Sequence, residues 1–71
     1  SVSYYWKGPS LFWARNSLAP VSLGYGVTRV LECLAGGAAS DGSDTVVYFL
    51  KGGTLYWARN SLTPVLVASG I

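Results

Sequence analysis

The sequence predicts an all-β chain built by internal duplication, and three observations predict it. Residues 1–27 align with residues 45–71 without a gap, and 14 of those 27 positions are identical. Within each unit, aromatic and β-branched runs alternate with Gly, Pro, Asn and Ser at the spacing of short strands and tight turns. The chain is 51% hydrophobic and only 11% charged, against about 25% charged in an ordinary soluble domain. So apolar a chain of 71 residues is expected to form one domain and to bury part of its surface against copies of itself or a larger assembly.

The single domain, residues 1–71, divides into repeat 1 (1–27), a connecting segment (28–44) and repeat 2 (45–71). The identity is densest in Trp13-Ala14-Arg15-Asn16-Ser17-Leu18 against Trp57-Ala58-Arg59-Asn60-Ser61-Leu62, followed by Pro20-Val21 and Pro64-Val65. Each repeat reads as a three-stranded meander. The first strand runs from about Val2 to Trp6, or Thr45 to Leu50. A turn follows at Lys7-Gly8-Pro9-Ser10, or Lys51-Gly52-Gly53-Thr54, where Gly supplies the positive φ of a tight reversal. The second strand covers Leu11 to Asn16, or Leu55 to Asn60. A short polar turn closed by Pro20 or Pro64 leads to the third, Val21 to Tyr25 or Val65 to Ser69. Lys7 and Lys51 are expected at solvated hairpin ends.

Residues 28–35 fit two patterns. Thr28 would cap a short helix with Leu31, Leu34 and Ala35 on one face, whereas Val30, Glu32 and Leu34 alternate as in a strand. The strand is favoured because every neighbouring element is one. Residues 36–44 are small and polar, the composition of a surface loop. Two architectures accommodate these elements. The first is two meanders about a pseudo-twofold axis, as a small sandwich or barrel. The second is nearly two four-stranded propeller blades completed by oligomerisation, with residues 28–35 as the fourth strand of the blade.

The stretch Gly53-Thr54-Leu55-Tyr56-Trp57, followed by Pro64-Val65, resembles the repeats of β-propeller blades of tachylectin-like and regulator-of-chromosome-condensation-like type. The resemblance implies a ring-forming blade. The Gly-Gln-Leu-Gly, His-Ser-Leu and Asp-Asn-Trp stretches of such repeats do not occur here, so the resemblance implies no site residues.

The residue inventory argues against an enzyme. There is no histidine, hence no Ser–His or Cys–His nucleophile pair and no Cys/His zinc site. The acids are Glu32, Asp41 and Asp44, the last two in the polar loop, where solvated turn residues are the ordinary case. Cys33 stands alone, so no intrachain disulfide forms, and a lone cysteine is ordinarily a small buried apolar residue. No cofactor or metal is called for. A net charge of +2 is a poor electrostatic funnel for nucleic acid. No apolar run reaches the ~18 residues of a membrane-spanning helix. The absence of methionine is expected of a processed chain or a piece of a longer one.

The doubled motif supplies the candidate site. Strand alternation puts Leu11, Trp13 and Arg15 on one face and Phe12 and Ala14 on the other, and likewise for Leu55, Trp57 and Arg59 against Tyr56 and Ala58. An indole beside a guanidinium suits a sugar, whose C–H face packs on the ring while its hydroxyls accept donors. The expectation is therefore an oligomeric, lectin-like carbohydrate-binding module with two similar sites at Trp13/Arg15 and Trp57/Arg59. Phe12, Tyr56, Asn16 and Asn60 are further candidates on the opposite face and the adjoining turns. The alternative is a structural or assembly element, such as a viral fibre tip or capsid-surface protein. An extracellular or virion-surface setting suits either role.

Overall fold

The computed structural model describes residues 2–35 and 45–71. The expected polar loop at 36–44, with Asp41 and Asp44, lies outside the described residues. Those described form seven strands and no helix: β1 (Val2–Lys7), β2 (Ser10–Arg15), β3 (Val21–Tyr25), β4 (Val27–Ala35), β5 (Thr45–Lys51), β6 (Thr54–Arg59) and β7 (Val65–Ala68). They make two antiparallel sheets in chain order, β1-β2-β3 and β4-β5-β6-β7. The all-β class and the strand at 28–35 are as expected. Neither sheet closes into a barrel.

The hairpins follow from their turn residues. Lys7 pairs with Ser10 and Lys51 with Thr54, which leaves two-residue loops, Gly8-Pro9 and Gly52-Gly53. Gly8 and Gly52 sit at φ 58° and 59°. A positive φ at the first central residue matches the right-handed twist of the flanking strands, and only glycine adopts it freely. The second hairpin turn uses Asn16 and Asn60, at φ 49° and 52°. Asparagine is the side chain that best tolerates this conformation after glycine. The N–H of Leu18 donates to the carbonyl of Arg15, and that of Leu62 to Arg59, closing the two turns alike.

Register is likewise shared. Tyr4 pairs with Trp13 and Tyr48 with Trp57, and both β2–β3 and β6–β7 carry a bulge after their central leucine, Leu11 or Leu55. The bulge opposes two residues to one and leaves Leu23 and Val67 as the extra residues. Gly26, at φ 79°, turns the chain out of β3, and the N–H of Val27 donates back to the carbonyl of Pro9. This crossing carries the chain from the first sheet into the second.

The core lies between the sheets. The first contributes Leu11, Trp13 and Leu23; the second contributes Val47, Phe49 and Ala58; Val27 joins them at the crossing. Gly24 brings the layers close: a methyl group there would touch Phe49, Lys51 and Val27, each at 3.5 Å. A second tie is polar. Thr45 Oγ1 donates to Asn60 Oδ1 at 3.1 Å, so the 2.7 Å contact between Tyr4 and Thr45 is completed by the Tyr4 hydroxyl donating to Thr45.

These facts decide between the packings. A twofold sandwich would bury the same face of both repeats. Here the first repeat buries its Leu11/Trp13 face, while the second buries the opposite one, Phe49/Ala58. Residues 28–35 do not extend the first sheet; β4 pairs with β5 and forms the outer strand of the second. Its two bulges, at Thr28 and Leu31, let a nine-residue strand follow a seven-residue partner.

Equivalent tryptophans therefore carry unequal weight. Trp13→Ala is expected to cost about 3–5 kcal/mol, as for a buried aromatic, and Trp57→Ala clearly less. Urea denaturation of the two variants at low protein concentration checks this; equal losses would contradict the packing.

Candidate functional site

The sequence-nominated residues do not form two like sites. Trp13 is 6% exposed, sealed between the sheets, and its Nε1 has no hydrogen-bond partner among the described residues. Trp57 is half-buried on the outer face of the second sheet. Arg15 and Arg59 end the same strands, are half-buried, and each already has an interaction partner. The rings of the opposite face divide the other way. Phe12 stacks on Tyr5 on the outer face of the first sheet, centroids 5.3 Å apart and planes at 18°. Tyr56 stacks on the core ring Phe49 at 5.5 Å and 14°. Lys51 Nζ stands 5.7 Å from the Tyr56 ring centroid, a cation over a π face, so this lysine is more than a solvated hairpin end.

The asparagines serve the turns. Asn60 Oδ1 accepts from both the backbone N–H of Thr45, at 3.0 Å, and its hydroxyl, while the Asn60 N–H donates to the Thr45 carbonyl. The side chain thus anchors the start of β5. Asn16 is exposed and also has a partner.

Cys33 is exposed on β4, where a lone cysteine would ordinarily be buried. Desolvation by its neighbours still pushes its thiol above the usual value, which leaves it protonated and slow to react at neutral pH. It borders a shallow depression of about 240 Å³ between β1 and β4, lined also by Val2, Ser3, Tyr4, Leu34 and Thr45. That is below the roughly 300–1,000 Å³ of ordinary ligand pockets, and none of the eight nominated residues lines it. Among the described residues, no three His, Cys, Asp or Glu side chains gather as a metal site would need.

No protein-family model matches the chain, and no curated protein or solved structure matches it. The extensive open surfaces of the chain are the two outer sheet faces. The accessible surface, 4309 Å², is close to the ~4,200 Å² of a compact 7.5 kDa protein. The molecule is unusual in what that surface contains.

Several corresponding positions in the repeats have opposite exposures. Phe49 is fully buried and its counterpart Tyr5 is 39% exposed. Leu23 is 5% exposed and Val67 is 51%. Val27 is 4% exposed and Ile71 is 66%, although the N–H of Ile71 donates to Gly53 just as that of Val27 does to Pro9. The outer face of the first sheet holds Ser3, Tyr5, Phe12 and Ala14; that of the second holds Tyr48, Leu55, Trp57 and Val67. Tyr5, Val67 and Ile71 were not nominated from the sequence, because the repeat gives both copies of a position the same local chemistry.

Asn60 offers a separable test. Asn60→Gly keeps the left-handed backbone and loses only the side-chain bonds, so it is expected to cost about 1–2 kcal/mol. Asn60→Ala loses the bonds and forces a β-carbon into that conformation, adding about 1 kcal/mol. Thermal or urea unfolding should rank wild type above Gly and Gly above Ala.

Proposed function

We propose that the chain is a non-enzymatic assembly module that works as a homo-oligomer through its outer sheet faces. One observation carries this reading: the core positions Phe49, Leu23 and Val27 have exposed counterparts in the other repeat, Tyr5, Val67 and Ile71. A Val, Tyr or Ile that packs in one copy and meets water in the other is a contact surface without its contact. Apolar burial is worth roughly 25 cal/mol per Å², so covering such faces is favourable for a chain with so few charges. The four-stranded meander β4-β5-β6-β7 is consistent with a blade-like unit. On that view the first sheet is the same unit without the strand that β4 supplies to the second.

The expected outcome is a particle larger than 7.5 kDa at micromolar concentration. Sedimentation velocity or light scattering checks it. A monomer at every accessible concentration would remove the reading.

Carbohydrate binding remains the second reading, supported by the half-buried Trp57 and Arg59 along one strand of the open face of the second sheet. The two readings compete for Trp57, since assembly through that face would cover it. Sugar binding is expected to depend on Trp57 and not on the core residue Trp13. A glycan-array screen of the wild type beside a folded Trp57→Ala variant tests it; no glycan bound, or undiminished binding by the variant, would count against a Trp57 site.

A further inference from the structure

We infer that the partner of each outer face is the other, non-equivalent face of a second copy of this chain, so that copies stack head to tail. The inference rests on the assembly reading and supplies its geometry.

The internal interface is the template. Inside one chain, the Leu11/Trp13/Leu23 face of the first repeat lies on the Val47/Phe49/Ala58 face of the second. Each repeat therefore keeps the face that its sister has used. The open face of the second sheet carries Leu55, Trp57 and Val67, the counterparts of Leu11, Trp13 and Leu23. The open face of the first sheet carries Ser3, Tyr5 and Ala14, the counterparts of Val47, Phe49 and Ala58. Placing the second sheet of one copy against the first sheet of the next repeats the junction already made within the chain. Four of the substitutions across it are mild, since Leu11 becomes Leu55, Trp13 stays Trp57, Phe49 becomes Tyr5 and Ala58 stays Ala14, whereas the buried Val47 is replaced by the polar Ser3. Close approach is retained as well, since Gly24 is replaced by the small Ala68.

Two like faces do not match in this way. Joining Trp57 faces would oppose two sets of large side chains with only Ala68 on each to receive them, whereas the internal junction sets Trp13 and Leu11 against a layer that includes Ala58. A head-to-tail contact joins different surfaces, so its repetition closes a ring or continues as an open stack. The turn leucines give the boundary. Leu18 and Leu62 are exposed in both repeats, at 60% and 63%, so they lie outside the internal junction and outside its copy between chains.

Mixing two blocked variants tests the inference. Tyr5→Glu places a charge on the open face of the first sheet, and Val67→Glu on that of the second; both sites are exposed, and circular dichroism verifies folding. Each variant alone is expected to be monomeric where the wild type assembles. Mixed, they are expected to form a species of two chains, because one intact face remains on each and the two are complementary. Leu62→Glu should assemble as the wild type does. If a blocked variant still dimerises alone, or if the mixture stays monomeric, head-to-tail pairing is overturned and assembly by some other surface survives. A wild type that is itself monomeric removes the assembly reading as well.

Discussion

The structure depends on one contact: the packing of the Leu11/Trp13 face of the first sheet against the Val47/Phe49 face of the second. Among the described residues, seven buried side chains make this core, with Val2, Tyr4, Val30 and Tyr56 packed against it. Three-stranded and four-stranded sheets gain most of their stability by covering a face, so neither sheet is expected to stand without the other. The crossing at Gly26 and Val27 serves this contact, since it turns the chain from one layer into the next while the Val27 N–H stays bonded to Pro9. The Tyr4–Thr45–Asn60 bonds add a polar tie between the layers, linking β1 to the start of β5 and the turn after β6.

The contact is asymmetric, and the asymmetry has consequences for function. Duplicated units that meet through equivalent faces would leave two equivalent, finished exteriors. Units that meet through opposite faces leave one of each kind open. Tyr5, Val67 and Ile71 are exposed apolar residues whose counterparts in the other repeat, Phe49, Leu23 and Val27, are core. Phe12 and Trp57 belong to the same outward set, which gives the nominated aromatic residues a packing role alongside any role toward a ligand.

Much of the fold was legible in the residues. The gapless alignment over 27 positions located six of the seven strands, because turn chemistry is local: Gly8 and Gly52 meet the backbone demand of the tight hairpin, and Asn16 and Asn60 that of the next turn. The alternation of strand side chains separated Trp13 from Phe12 correctly. The candidate site was less legible. Trp13 and Trp57 are each followed by Ala-Arg-Asn-Ser-Leu and each face a cross-strand tyrosine, yet one is sealed and the other half-buried. Cys33 showed the same limit, since an edge strand leaves exposed a residue that composition would bury.

The sequence by itself determined the all-β class, the two meanders, their turns and which side chains share a face. These follow from backbone conformational preference and period-two alternation, which act within a few residues. Only the tertiary structure decided that β4 joins the second sheet, and that the repeats meet through opposite faces. The physical reason is that similar repeats present similar faces to any local rule. Which face is covered depends on where the chain crosses between layers, a property of the whole arrangement and of no single stretch of residues.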